Sequence, residues 1–222
     1  MMQLSKSPKI DMGLFPFEIE IGPTDAGIIL TQVVNPYCVH CGDTFNEMVR
    51  LIESGNGNVK GIIRFLVTIR DEKTNETEKI LDYELSLGIV AMAEAGKRNQ
   101  IHETLTSWFS RNKKYSSAQI TKNLRKLAEK TGNWGVDSKE IKNKSGARKS
   151  GKMSHLEKWQ SILLANNDAS RQSAREILVL HKKWAEENGI HNTPALFVNG
   201  SRLPAGIKLE DLKYFLMRQQ KR

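Results

Sequence analysis

The feature that most constrains the fold of this chain is a strand–helix–strand pattern over residues 27–69. Residues 27–34 are apolar apart from two central polar residues, as is typical of a strand covered on both faces. Apolar residues then recur at i, i+3, i+4 and i+7 from Phe45, which predicts an amphipathic helix ending in a glycine-rich stop at residues 54–57. Residues 59–69 are again apolar and β-branched. The pattern predicts two parallel strands joined by a right-handed helical crossover.

The chain has only two cysteines, Cys38 and Cys41, and both lie at the start of this predicted helix. A Cys-x-x-Cys pair puts two sulfurs on one helical turn, where they can close a small disulfide ring or bind one metal ion. The spacing alone leaves both interpretations open.

Further patterns extend the predicted fold on both sides of this unit. Residues 15–21 alternate apolar and polar residues like a half-buried strand. Near the C-terminus, residues 195–198 form a short apolar strand, and Asn199 with Gly200 predicts a hairpin turn to residues 201–203. Between them lie stripes at helical spacing that we interpret as helix cores: Leu81, Leu85, Ile89 and Met92; Ile101, Leu105 and Trp108; Ile120, Leu124 and Leu127; Leu156, Trp159 and Leu163; and Ala174, Ile177, Leu178, His181, Trp184 and Ala185. A closing helix is predicted from Leu209, Leu212, Phe215 and Leu216.

The composition is that of an ordinary globular protein, with 39% hydrophobic and 27% charged residues among 222. No apolar run approaches the length of a membrane-spanning helix, and the first nine residues lack the apolar region of a secretory signal. The net charge of +9 comes largely from a basic segment at residues 139–152. Because no aromatic residue interleaves with those charges, we expect a solvated loop and no nucleic-acid partner.

The residues around the cysteine pair resemble those of the thioredoxin superfamily. The resemblance is carried by Asn-Pro-Tyr-Cys-Val-His-Cys at residues 35–41, by Thr193-Pro194 before a short strand, and by the Asn-Gly hairpin. It implies an α/β thioredoxin fold, in the order β-β-α-β, an all-helical insertion, then β-β-α. The insertion narrows the resemblance to the DsbA-like branch. The Cys-x-His-Cys motif, residues 191–200 and Arg202-Leu203-Pro204 are similar to the thioredoxin-type domains found beside vitamin K epoxide reductase-like membrane proteins. We expect one unit over residues 1–222. Its core would comprise residues 13–70 and 173–219, and its insertion residues 71–172.

The resemblance implies a division of labour between the two sulfurs. Cys38, at a helix N-terminus, would be the reactive thiolate, and Cys41 would resolve the mixed disulfide. His40 lies between them, where an imidazole can stabilise the Cys38 thiolate and make the disulfide a stronger oxidant. Val39 replaces the proline usual at its position in this family. Gln32 replaces a buried acid that often precedes the first cysteine by six residues, so an ionisable proton relay is not expected there.

The second implied element of the site is the segment containing Thr193 and Pro194. In the superfamily the matching proline follows a cis peptide bond and faces the sulfurs, and the backbone before it pairs with extended substrate. Tyr37 lies where a ring often flanks the reactive sulfur, and we expect it to shape the substrate surface.

These features predict a protein thiol–disulfide oxidoreductase that needs no cofactor and oxidises cysteine-containing client proteins. The expected redox partner is a vitamin K epoxide reductase-like or DsbB-like membrane protein. We expect a monomer, since no dimerisation domain is visible, and a periplasmic location because oxidase chemistry needs an oxidising compartment. A reductase or isomerase of the same fold is the alternative, as is a cytoplasmic location.

Two other classes of protein were weighed against this prediction. A zinc-binding module using Cys38 and Cys41 would need two further ligands, and only His40 and His191 come near the pair in the predicted fold. We therefore predict no metal site. A glutathione transferase of the kappa kind is disfavoured because that branch does not rely on a second cysteine.

Overall fold

The protein folds into a five-stranded sheet with helices packed against it. The structure, a computed structural model, describes residues 9–13, 15–69, 77–111, 168–204 and 209–212. In chain order its elements are β1 (Ile19–Ile21), β2 (Ile28–Val34), α1 (Val39–Ser54), β3 (Val59–Phe65), α2 (Thr77–Glu94), α3 (Arg98–Arg111), α4 (Asp168–Glu187), β4 (Ala195–Val198) and β5 (Ser201–Arg202). A helical turn follows at residues 209–212. The elements in these described ranges follow the predicted thioredoxin-type order.

Strand β2 lies at the centre of the sheet, whose order is β1-β3-β2-β4-β5. It pairs in parallel with β3 and antiparallel with β4, while β1 and β5 pair antiparallel at the two edges. The two polar residues of β2, Thr31 and Gln32, are both buried, as predicted for a strand covered on both faces. Asn199 and Gly200 both have positive φ and form the predicted hairpin turn between β4 and β5.

Two strands are shorter than their sequence patterns suggested. Strand β3 ends at Phe65 rather than at residue 69, because its parallel partner β2 ends opposite it at Val34. The Leu66 N–H still donates to the Val34 carbonyl at 2.8 Å, after which the ladder has no further partner strand. The first strand begins at Ile19 rather than at residue 15, where Pro16 lacks the N–H that a ladder requires.

Most residues of the predicted helical stripes whose side chains the structure describes are buried, although Val49 and Ile52 of α1 are only partly buried. The buried residues include Phe45 and Met48 on α1, and Ala174 with Trp184 on α4. Helix α1 ends at Ser54 before Gly55, as expected. The stripes predicted at residues 120–127 and 156–163, and the basic segment at residues 139–152, lie outside the described residues. No helix in the described ranges is both long and apolar enough to span a membrane. The division into core and insertion stays a prediction.

The sheet separates two apolar clusters. On one face Phe45 and Met48 of α1 join a large cluster that includes residues of β2, β3, α2 and α3. On the other face Trp184 and Ala185 of α4 pack with Phe197 of β4. The second cluster also encloses charge: the Arg64 guanidinium lies 4.1 Å from the ring centre of Phe15 and 4.3 Å from that of Trp184.

Arg64 belongs to a buried group that also contains Glu18 and His181. Arg64 donates to the Glu18 carboxylate, and the Nδ1 atom of His181 accepts a hydrogen bond from the Phe65 N–H at 3.3 Å. Burial, with the Arg64 charge as a smaller cause, lowers the pKa of His181 to about 3. The folded protein therefore keeps this imidazole neutral in mildly acidic solution, whereas the unfolded chain protonates it below about pH 6.5.

We predict that His181 makes the fold sensitive to acid. As the pH falls below the pKa of His181 in the unfolded chain, the unfolded chain binds a proton that the folded protein does not bind. The free energy of unfolding therefore decreases. Between pH 7 and pH 5 this costs about 2 kcal/mol of unfolding free energy. His181→Asn keeps an acceptor for the Phe65 N–H but cannot titrate. Urea unfolding at pH 7 and pH 5 should therefore show a decrease in unfolding free energy that is about 2 kcal/mol smaller in the variant than in wild type. Equal losses in the two proteins would contradict the prediction, since Glu18 and Arg64 are unchanged between them.

Candidate active site

The two cysteines lie at the start of α1, one helical turn apart. Cys38 is the N-cap residue, with φ −74° and ψ 115°, and its side chain makes no capping hydrogen bond. The Cys41 N–H donates to the Cys38 carbonyl at 3.1 Å. The N–H groups of Val39 and His40 precede the helical ladder and find no partner within the helix. Together with the helix dipole they favour a negative charge on the Cys38 sulfur.

The two thiols have different surroundings. Cys38 is partly exposed, while Cys41 is completely buried. Burial is the largest cause that raises the pKa of Cys41, and the neighbouring Cys38 thiol adds to it. Hydrogen bonds from the Asn35 backbone and the Thr193 side chain act in the opposite direction. Cys41 therefore stays a protonated thiol at neutral pH, and Cys38 is the sulfur that a second protein can reach.

The loop before β4 brings Thr193 to Cys38. The Thr193-Pro194 peptide bond is cis, and the Cys38 thiol donates to the Thr193 carbonyl at 3.4 Å. These residues are 155 positions apart in the sequence. They meet because β4 pairs with β2, with Ala195 opposite Val33, so that the chain before β4 lies beside the chain after β2.

A groove of about 610 Å³ opens beside Cys38. Its lining comes from the turn before α1, from the chain after β3, from α4 and from the loop before β4, and consists of Asn35, Tyr37, Cys38, Leu66, Val67, Thr68, Lys182, Glu186, Ile190, His191, Asn192 and Thr193. Lys182 and Glu186 form an ion pair at 3.8 Å across one turn of α4. The sequence offered no signal that these two residues lie near the cysteines, because their place depends on how α4 packs against the sheet.

The other predicted site residues lie in two places, some in the groove and some outside it. Tyr37 lines the groove, and its ring meets the Trp108 ring edge-on with centroids 5.7 Å apart. His40 is exposed on the first turn of α1 and is not among the groove-lining residues. Val39, beside it, is 50% exposed. The groove side of the site therefore contains Cys38, Tyr37 and Thr193, whereas Val39 and His40 form its outer rim.

Gln32 supports the site from beneath. Its side chain is fully buried in β2, and its Nε2 atom donates to the Cys41 carbonyl at 3.0 Å. The amide thus ties the first turn of α1 to the centre of the sheet. An amide does not ionise at neutral pH, so this position anchors the helix and does not exchange protons with Cys41.

Asn35 is a residue of the site whose role the sequence did not reveal beyond a turn signal. Its carbonyl accepts from the Cys38 N–H at 3.0 Å, and its side-chain oxygen accepts from the Tyr37 N–H at 2.8 Å. Its side-chain nitrogen donates to the Asp82 carboxylate at 2.9 Å and to the Leu66 carbonyl at 3.3 Å. One side chain therefore links the turn before Cys38 to α2 and to the chain after β3.

The described residues contain no group of three or more histidine, cysteine or carboxylate side chains that could hold a metal ion. The zinc-binding alternative for Cys38 and Cys41 therefore has no support in this part of the chain.

Comparison with known proteins gives one family and a set of similar structures. The sequence matches the thioredoxin family over residues 16–218. The catalytic domain of Proteus mirabilis ScsC is 13% identical, with 92% of this chain and 90% of that one covered at a TM-score of 0.56. The thiol-disulfide exchange protein alpha-DsbA2 from Wolbachia pipientis is 12% identical, with coverages of 90% and 86% and a TM-score of 0.53. A periplasmic thioredoxin-like protein from Salmonella enterica serovar Typhimurium is 11% identical, with coverages of 92% and 91% and a TM-score of 0.52. At such identities these structures establish the fold alone. No curated protein sequence matches.

We predict that alkylating reagents distinguish the two thiols by about 100-fold or more in rate. Cys38 is partly exposed at a helix N-terminus, whereas Cys41 is buried and its pKa is raised. Cys41→Ala and Cys38→Ala each leave one thiol, and iodoacetamide labelling of the folded variants at pH 8, followed by mass spectrometry, gives both rates. Unfolding the two variants in urea should make the rates similar, which serves as the control. Similar rates in the folded variants would contradict the assigned environments.

Proposed function

The chain belongs to the thioredoxin family and has the fold of DsbA-like proteins, and we propose that it is a thiol–disulfide oxidoreductase that oxidises cysteine pairs in client proteins outside the cytoplasm. The observation that carries the proposal is the position of Cys38 as the N-cap of α1. The unpartnered N–H groups and the dipole of the helix stabilise a thiolate there, which favours the reduced enzyme and makes its disulfide an oxidant.

In the proposed cycle, two electrons pass from a client dithiol to the Cys38–Cys41 disulfide. A client thiolate attacks the Cys38 sulfur and forms a mixed disulfide, and Cys41 leaves as a thiolate that takes up a proton. The second client thiolate then attacks the client sulfur of the mixed disulfide. This step forms the client disulfide and releases Cys38 as a thiolate.

We propose that the client peptide binds in the groove beside Cys38. The backbone before Pro194 would pair with an extended segment of the client, as a strand edge does. Tyr37 would contact the residues that flank the client cysteine, because it lines the groove next to Cys38. His40, on the exposed rim, would act on the charge of the Cys38 sulfur rather than on the client.

A membrane protein of the vitamin K epoxide reductase-like or DsbB-like kind would reoxidise the cysteine pair, and the enzyme would act as a monomer. The exposed Val39 and the part-exposed Cys38 are accessible to such a partner. One similar structure is named as periplasmic and another as a thiol-disulfide exchange protein, which supports a location outside the cytoplasm.

A reductase of the same fold is the second candidate, and one observation favours it. The Thr193 carbonyl accepts a hydrogen bond from the Cys38 thiol. This contact stabilises the protonated thiol and opposes the effect of the helix N-terminus on the thiolate. The redox potential decides between the two directions.

We predict that Cys41→Ala accumulates mixed disulfides between Cys38 and client proteins that have no second thiol within reach, since the variant has lost the other route of release, the attack of Cys41 on the Cys38 sulfur. Non-reducing electrophoresis of the tagged variant from cells grown under oxidising conditions should show adducts that a reductant removes. Cys38→Ala is the matched control and should show none. Equal adduct levels in the two variants would argue against Cys38 as the reactive sulfur.

We predict that His40→Ala makes the disulfide less oxidising by about tenfold in its equilibrium with glutathione, which corresponds to about 30 mV. The lost imidazole no longer stabilises the Cys38 thiolate, so the reduced form becomes less stable relative to the disulfide form. Arg50→Ala removes an exposed cationic side chain from the same helix and should leave the equilibrium unchanged. An unchanged equilibrium in His40→Ala would exclude His40 from the mechanism. A wild-type potential as low as about −270 mV, the value of thioredoxin, would favour the reductase.

A further inference from the structure

The turn that leads into Cys38 is held by hydrogen bonds within itself. The Cys38 N–H donates to the Asn35 carbonyl at 3.0 Å, closing a four-residue turn with Pro36 at its second position. The Asn35 side chain caps the same turn by accepting from the Tyr37 N–H at 2.8 Å. Because this turn ends at Cys38, its conformation helps to set where the Cys38 sulfur lies relative to the first turn of α1.

Helix α3 holds this turn from outside through Trp108. The indole Nε1–H donates to the Pro36 carbonyl at 2.7 Å, and the ring packs edge-on against Tyr37. Trp108 is only 4% exposed. Because both partners are buried, breaking this bond leaves a carbonyl that water cannot readily satisfy.

Helix α2 holds the same turn from a second direction. The Asp82 carboxylate accepts from the Asn35 side chain at 2.9 Å, and Asp82 is itself buried. Helices α2 and α3 both lie between β3 and α4 in the chain. Two side chains from this helical region therefore reach the residues that immediately precede the reactive sulfur.

We propose that Trp108 is a positioning residue for Cys38, acting through Pro36, so that helix α3 helps to set the redox equilibrium of the cysteine pair. The inference rests on the proposed function of Cys38 as the reactive thiolate. A thiolate is stabilised according to its distance and angle from the free N–H groups of α1. The disulfide carries no charge and responds far less to the same displacement. A looser turn therefore destabilises the reduced form more than the oxidised one.

Other ionisable groups lie around Cys38, and they are unchanged in the wild type and in every variant of the test below. They are Cys41, His40 and Asp43 on α1, Tyr37 on the turn, Lys182 and Glu186 on α4, His191 on the loop before β4, and Asp82 on α2. A change seen only when Trp108 or Asn35 is replaced thus reports the turn and not the local charge.

The test compares Trp108→Phe with Trp184→Phe. Each variant keeps an aromatic ring and loses one indole hydrogen bond to a backbone carbonyl. The bond of Trp184, to the Asp11 carbonyl at 2.8 Å on the other face of the sheet, is part-buried. Trp108→Phe should raise the pH midpoint of Cys38 thiolate absorbance by about half a unit or more, and shift the glutathione equilibrium toward the disulfide by about threefold or more. Trp184→Phe should change neither quantity.

Asn35→Ala is the second variant, for use if Trp108→Phe does not fold. It removes the link to Asp82 and the cap on the Tyr37 N–H, so the midpoint and the equilibrium should move in the same direction. Glu84→Gln is its control, because Glu84 is a buried carboxylate on α2 that binds Arg171 of α4 at 2.8 and 2.9 Å. Far-UV circular dichroism and urea unfolding report the folding of each variant.

The outcomes separate this inference from the proposed function. If wild type shows a single redox equilibrium with glutathione and Trp108→Phe and Asn35→Ala match it in both readouts, the positioning role is wrong while the proposed function stands. An effect of equal size in Trp184→Phe or Glu84→Gln would also overturn it, because the change would then follow general loss of stability. If wild type forms no disulfide between Cys38 and Cys41 in glutathione buffers, the proposed function fails first.

Discussion

The antiparallel pairing of β2 with β4 is the interaction on which the active site depends. Beyond one end of this ladder, where Val33 lies opposite Ala195, β2 continues toward the turn before Cys38 and β4 is preceded by the cis Thr193-Pro194 bond. Side chains alternate between the faces of a sheet, so a slip of one residue in this pairing would turn the side chains of β4 to the opposite faces and shift the chain before it. The register therefore fixes that the Thr193 carbonyl lies beside the Cys38 sulfur.

Most of the fold could be predicted because its signals are local. Helix α1 follows from apolar spacing such as Phe45 to Met48 and from its glycine stop, and the hairpin follows from Asn199 and Gly200. Strand ends were less predictable, since β3 ends where its partner β2 ends and not where its apolar sequence ends. The buried charge at Arg64 was not predicted, because the partners of its side chain, Glu18 and Trp184, come from distant segments.

The active site was predictable only in part, because local sequence patterns mark some of its residues but do not show contacts between distant segments. Cys38, Cys41 and the segment at Thr193 carry recognisable spacings. Trp108 has the spacing of an ordinary core residue, and nothing in the sequence shows that its N–H meets the Pro36 carbonyl. The placement of Lys182 and Glu186 in the groove likewise depends on helix packing, which no local pattern encodes.

The amide at Gln32 gives the proposed cycle a kinetic bias. A mixed disulfide can be resolved by two routes, or exits. Cys41 can attack the Cys38 sulfur and release the client reduced, or the client's second thiol can attack the client sulfur and release the client oxidised. The first exit requires Cys41 to lose a proton that its buried site retains, and the group beneath it is an amide that donates to its carbonyl rather than a base. In the proposed cycle, a client with a second cysteine within reach would therefore leave as product, whereas a client with a single cysteine would leave only slowly, through attack by Cys41. In the proposed cycle, the residue that anchors the helix to the sheet would thus favour the release of clients that present two thiols.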